Sequence, residues 1–110
     1  MVRPRKCKKV YATPGITYFK PRAVPMTELE EVELKFEEFE AIRLKDRKGY
    51  EQKKVAKMMG ISQPTLHRLL NSARKKIAEA LVEGKAIMIK GGNYSLKKKI
   101  KKKKTKKGDM

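Results

Sequence analysis

Between Gln52 and Leu81 the apolar residues recur with a helical period that breaks once, at Gly60 and Ile61. Val55, Ala56 and Met59 share one face of a short helix over about residues 51–59, Gly60 ends it, and Ile61 anchors the turn. Ser62 is suited to cap a second helix, and Pro64 falls in its first turn, where a missing N–H costs nothing. Leu66, Leu69, Leu70, Ala73, Ile77, Ala80 and Leu81 then form one apolar stripe up to Gly84. A helix over about residues 63–82 spans roughly 30 Å, more than a groove contact needs, so its second half is expected to pack on the rest of the domain. A helix-turn-helix needs a small residue where its helices cross, a glycine free to turn left-handed, and apolar residues at fixed offsets. Counted from Gln52, those places fall on Val55, Ala56, Met59, Gly60, Ile61, Leu66 and Leu69.

Charge divides the chain into three zones. Residues 1–22 carry seven basic residues and no acid, residues 95–110 carry nine lysines and one aspartate, and the total is +18. The middle is split in turn: residues 28–51 hold nine acidic and five basic residues, whereas residues 52–94 hold nine basic and two acidic ones. A domain that is acidic on one half and basic on the half containing the helix pair is suited to present one face to a polyanion.

Outside the helix pair, the prolines at 4, 14, 21 and 25 interrupt every period, so residues 1–25 read as an extended basic arm with a short strand at Ile16–Phe19. Thr27 and Glu30 have capping-box spacing, but Val32, Leu34 and Phe36 alternate with charged residues, which favours a strand. A first helix follows from Glu37, with Glu37, Glu38 and Glu40 in its opening turn and Arg43, Lys45, Arg47 and Lys48 near its end, the order that suits the helix dipole; Gly49 stops it. Residues 85–90 alternate around Ile87 and Ile89 as a short strand. The expected fold is mainly α: a three-helix helix-turn-helix domain over residues 26–94, edged by a two-stranded sheet combining Val32–Phe36 with Ile87–Ile89. The arm precedes it and a disordered lysine tail over residues 95–110 follows it.

Side chains of the long helix that point away from Leu66, Leu69 and Leu70 are Gln63, His67, Arg68 and Asn71. Gln and Asn can bond adenine bidentately and Arg can bond guanine O6 and N7, so these four are the base-reading candidates, with Arg68 foremost. Ser62, Thr65, Ser72, Lys75 and Lys76 flank them as candidate phosphate contacts. Arg3, Arg5 and Lys6 form a stiff basic arm of the kind that enters a minor groove, and the lysine tail is expected to add non-specific phosphate binding.

Taken together, these residues resemble a small prokaryotic family of predicted DNA-binding proteins of unknown function, whose helix-turn-helix is similar to sigma-factor region four. The resemblance rests on RPRKC at 3–7, TYFKP at 17–21, ELEEV at 28–32, EFEAIRLKD at 38–46, QPTLHRLLNSARKKIAEAL at 63–81 and GKAIMIKGG at 84–92. It implies a DNA-binding fold and covers about residues 3–92. Glu51 departs from it, standing where the resembling sequences have a Ser cap, and the lysine tail lies outside it.

No enzyme is expected. The three early glutamates are accounted for by the dipole, Lys90–Gly92 lacks the rest of a phosphate loop, and neither a cofactor nor a metal site has the ligand spacing it requires around His67 or the single Cys7. One cysteine in a polar arm favours a reducing compartment, and the longest apolar run, Ala86–Ile89, is too short for a bilayer, so a cytoplasmic location without membrane contact is expected. The expected partner is double-stranded DNA, bound as a transcriptional regulator. RNA polymerase is a further candidate through the acidic 28–51 surface, and so is a second copy, because one such unit covers few base pairs. The alternative is a non-specific chromosomal DNA-binding or RNA-binding protein, although only seven aromatics leave little for base stacking.

Overall fold

A computed structural model describes residues 8–92 and, by its strand pairing, Tyr94–Leu96. In chain order the elements are β1 (Lys8–Val10), β2 (Tyr18–Phe19), a single 3₁₀ turn at Met26–Glu28, β3 (Glu31–Leu34), α1 (Phe36–Ile42) continuing into a π turn (Arg43–Arg47), α2 (Gln52–Met59), α3 (Gln63–Glu83), β4 (Ala86–Ile89) and β5 (Tyr94–Leu96). Arg3, Arg5, Lys6 and Cys7 of the expected arm, and the lysines from Lys97 onward, lie outside the described residues.

The helices form where the apolar period and the punctuation agree. Gly60 and Gly84 both adopt the left-handed conformation, at φ 70° and 69°, and close α2 and α3. Ser62, extended at ψ 160°, caps α3 by accepting a bond from the Thr65 N–H, with Pro64 in the first turn. Glu51 occupies the cap position of α2 without a side-chain cap bond, so that helix lacks the stabilisation Ser62 gives its neighbour.

The sheet is larger than the two strands expected. β4 lies at the centre of a mixed three-stranded sheet, parallel to β3 with Glu31 opposite Ala86 and Leu34 opposite Ile89, and antiparallel to β2 with Tyr18 opposite Met88. The strand proposed over Val32–Phe36 ends at Leu34, because Phe36 is already the first residue of α1 and its N–H is bonded to the Gly91 carbonyl. All three helices lie in the single connection between β3 and its parallel neighbour β4. A second, two-stranded sheet pairs β1 with β5 in parallel, Lys8 opposite Tyr94 and Val10 opposite Leu96. Residues 8–11, placed by sequence in an extended arm, are thus part of the fold. Val10 is fully buried, and the Tyr11 hydroxyl donates to the Met58 carbonyl at 2.8 Å. Likewise Ser95 and Leu96, placed by sequence in the tail, belong to β5.

Two apolar clusters share Ile42. One joins Ala41 and Leu44 to Val55, Ala56 and Met59 of α2 and Leu66 and Leu70 of α3; the other joins Leu34 and Ile89 of the sheet to Ala73, with Phe36 and Phe39 against them. The stripe on α3 follows expectation as far as Ala73 and Ala80, which are buried, but Leu81 is 77% exposed. One residue on from Ala80 is about 100° around the helix, which turns Leu81 to the edge of an open cleft beside Phe19 and Pro21.

Candidate nucleic-acid interface

The short α2–α3 turn leaves little freedom in the angle between these helices. Gly60 requires positive φ, and a Cβ there would lie 3.4 Å from Lys9 Cε, since the aliphatic stem of Lys9 passes over the glycine. The inner face of α3 (Leu66, Leu70, Ala73) is buried, so the opposite face projects outward, and Gln63, His67, Arg68 and Asn71 are all exposed on it. Gln63, His67 and Asn71 follow one another at four-residue steps, the row that runs along one side of a helix, with Arg68 next to them. Asn71 Nδ2 lies 3.1 Å from His67 Nε2, which orients both groups.

The candidate phosphate contacts divide. Ser62 and Lys75 are exposed and Thr65 is half-buried; the Ser62 hydroxyl donates to Thr65 Oγ1 at 2.9 Å while accepting from the Thr65 N–H. Ser72 and Lys76 are turned inward instead. The Ser72 hydroxyl donates to Glu38 Oε2 at 2.5 Å, and Lys76 Nζ donates to Glu38 Oε1 at 2.8 Å, where it also forms an ion pair. With the Lys35 N–H donating to Oε1 at 2.9 Å, the Glu38 carboxylate is fully engaged. Burial pushes its carboxyl pKa upward, but the bonds from Lys76, Ser72 and the Lys35 N–H outweigh burial and hold it below the ordinary glutamate value.

The three early glutamates are therefore more than dipole partners. Glu40, fully buried, accepts from the Tyr11 N–H at 2.8 Å and takes a two-pronged bond from Arg43 at 2.8 and 3.0 Å. Glu37 pairs with Lys8 at 3.5 Å. Together they fasten α1 to β1, and Glu38 fastens it to the middle of α3. Between Ser72 and Lys76 in sequence, Arg74 clasps Asp46 of the π turn at 2.7 and 3.1 Å; that bond holds the Asp46 carboxyl below its usual range. The acidic character of residues 28–51 consequently divides in two. Glu28, Glu30, Glu31, Glu33, Asp46 and Glu51 are exposed, while the α1 glutamates are interior.

Two basic residues that sequence reasoning did not single out join this face. Lys9 is exposed beside the α2–α3 turn, and exposed Lys35 borders a cleft of about 280 Å³ that has Lys8, Thr65 and Arg68 on its walls together with Glu37 and Glu38, which Lys8 and Lys76 neutralise. Among the described residues, no carboxylate lies within ion-pair distance of Lys9, Lys35 or Arg68. No local signal marks Lys9, whose position depends on the pairing of β1 with a strand at the far end of the chain. Among the described residues there is no group of three or more His, Cys, Asp or Glu placed to hold a metal, and no helix long and apolar enough to cross a membrane.

Comparison with known proteins places this architecture in a family. Residues 1–97 match the family model described as "Protein of unknown function DUF134". A "UPF0251 protein" of Moorella thermoacetica is 60% identical over 96 residues, covering 87% of this chain and 64% of that relative. Another, from Thermoanaerobacter pseudethanolicus, is 57% identical over 94 residues, covering 86% of this chain and 80% of its own length; one from Dehalococcoides mccartyi is 49% identical over 96 residues, covering 87% and 82%. This chain thus spans just under two thirds of the Moorella relative and about four fifths of the other two. No solved structure matches it. With a family model covering most of the chain and relatives this similar along most of their own length, the chain belongs to the DUF134, or UPF0251, family.

Proposed function

We propose that this chain binds double-stranded DNA sequence-specifically, as a transcriptional regulator, with α2 and α3 as its helix-turn-helix. The observation that carries this reading is the exposed row of Gln63, His67, Arg68 and Asn71 on a helix whose other face is anchored in the core by Leu66, Leu70 and Ala73. These side chains offer donor and acceptor pairs matched to base edges in a major groove. Glu38, Asp46 and the apolar clusters fix the helix that carries them, and a rigid support is what base discrimination requires. In this mechanism α2 braces against the backbone and α3 enters the groove. Ser62, Thr65 and Lys75, together with Lys9 and Lys35, meet phosphates. Ser72 and Lys76 act from behind, by holding Glu38 and so the orientation of α3. Of the exposed acids, Glu28 and Glu33 remain available for a protein partner such as RNA polymerase, while Glu31 accepts from the Tyr18 hydroxyl and Glu30 pairs with Lys85.

Selection from random duplexes, run at moderate salt on the whole chain and on Arg68→Ala, tests the proposal. The expected result is an enriched motif that loses definition at one or two positions in the variant, since a bidentate Arg–guanine contact discriminates by about 1–3 kcal/mol. An undefined pool from the parent chain, or equal binding to structured RNA in competition, would replace this reading with non-specific nucleic-acid binding.

A further inference from the structure

The end of α3 away from the candidate reading row carries an uncovered apolar surface. Leu81 and Val82 are 77% and 82% exposed, and Phe19 on β2 is 52% exposed. Two clefts adjoin Leu81 and Phe19, while Val82, about 100° further around the helix, lines neither. One, of about 310 Å³, has Phe19, Pro21, Ala80 and Leu81 on its walls. The other, of about 260 Å³, lies between the sheet and α1 and is lined by apolar side chains alone, Phe39 and Ile77 among them. Phe19 and Ile87 line both clefts, so the surface is continuous. Isolated exposed apolar side chains are ordinary, whereas a continuous apolar area with a charged rim marks an interaction surface.

The rim specifies the partner. On the β2 side stand Lys20, which lines the first cleft, and exposed Arg22 two residues on. On the α3 side Lys85 lines the same cleft, and beyond it Glu30, Glu79 and Glu83 pair with its ammonium at 3.4, 2.6 and 3.2 Å, so one ammonium and three carboxylates leave that side net acidic. A surface with a basic lip on one side and an acidic lip on the other is complementary to itself: a two-fold axis through the apolar centre sets each basic lip against the acidic lip of the other copy. We propose that this chain forms a two-fold homodimer through this surface, with Leu81 of each copy entering the apolar clefts of its partner and Lys20 and Arg22 facing Glu79 and Glu83. The lysine-rich segment 97–110 is a poor alternative occupant, with Ile100 and Met110 as its only large apolar residues.

The assembly does not depend on DNA binding, but it sets the spacing of two reading rows if α3 does read DNA. Arg68 and Leu81 are about 20 Å apart along the helix axis at 1.5 Å per residue. Two copies joined near Leu81 hold their Arg68 side chains up to about 40 Å apart, and a moderate tilt between the two α3 axes brings this to the roughly 34 Å of successive major grooves on one face of a duplex.

Sedimentation equilibrium of the full chain, without nucleic acid, tests the dimer separately from DNA reading. The parent is expected to sediment at twice its 12.7 kDa mass. Leu81→Glu alters a residue that is mostly in solvent, so it should retain the parent's circular dichroism and melting profile while weakening dimerisation by about 30-fold or more, as loss of a central apolar contact does. Lys20→Glu and Glu83→Lys should each weaken it, and the two together should restore it. A parent that stays monomeric across the concentration range, or a folded Leu81→Glu that dimerises like the parent, overturns the proposal. A charge-swapped pair no stronger than its single variants overturns the two-fold arrangement of the lips.

Discussion

Glu38→Gln replaces an ionised carboxylate with an amide of the same shape at the point where α1 meets α3. In the parent the carboxylate accepts from the Lys35 N–H, the Ser72 hydroxyl and Lys76 at 2.9, 2.5 and 2.8 Å, with 3% of its side chain exposed. The amide oxygen can keep the Lys35 N–H and Lys76, and Ser72 can rotate its hydroxyl to accept from the new NH2; what is lost is the carboxylate's charge, which makes the Lys35 and Ser72 bonds neutral and turns the Lys76 ion pair into a single-charge bond. Hydrogen bonds to ionised partners contribute about 1.5–3 kcal/mol against roughly 0.5–1.5 for neutral ones. Lys76, 29% exposed, recovers part of its loss from water, and the net cost should be about 2 kcal/mol at neutral pH. Urea unfolding of parent and variant measures it. The pH dependence provides a second reading. The carboxyl is held below its unfolded value of about 4.3, so its stabilisation is complete above that pH and disappears as pH falls through the lower folded value. The gap between parent and variant should therefore close on acidification. A difference under about 0.5 kcal/mol at pH 7, or one that persists unchanged into acid, would refute the account of Glu38 as the charged anchor of α3.

Two further outcomes follow from the turn and its neighbour. Gly60→Ala forces an L side chain to φ 70°, with its Cβ in ordinary contact with the Lys9 stem; the backbone strain should lower the unfolding free energy by about 1–2 kcal/mol, and an unchanged urea midpoint would contradict the turn geometry. Lys9→Gln should reduce the salt dependence of duplex binding, the slope of log affinity against log salt falling by about 0.9 for one lost phosphate contact; an unchanged slope removes Lys9 from the interface.

The helical part of this fold could be read directly because its signals are local. Gly60, Ser62, Pro64 and Gly84 bound α2 and α3 within a residue or so of where the apolar period places them, and the outward face of α3 follows from that period alone. What could not be read was pairing between distant segments. Lys8–Val10 has one apolar residue after two lysines, and nothing in so short a stretch reveals that its partner is Tyr94–Leu96. The same limitation hid the double use of the α1 glutamates. A helix dipole explains acids in a first turn, so the pattern was already accounted for, and their burial depends on Tyr11, Ser72 and Lys76, which approach only after folding. Helical spacing assigns Ser72 and Lys76 to the phosphate-facing side for the converse reason: it gives the side of a helix but not what another helix places beside it, here Glu38. Leu81 continued the apolar stripe in sequence, yet the domain ends before it can be covered.

The placement of α1, α2 and α3 inside one connection between parallel strands bears on the order in which the molecule assembles. Pairing residue 31 with residue 86 is expected to follow compaction of the helical region, because closing a loop of that length in an open chain loses entropy before any strand contact compensates. The contacts of Val55 and Met59 with Leu66 and Leu70 lie close in sequence and can form early, whereas β3–β4 and the still more distant β1–β5 pairing close last. The segment that carries the candidate reading row is thus expected to be built from the fastest-forming contacts, with β1 and β5 secured around it afterwards.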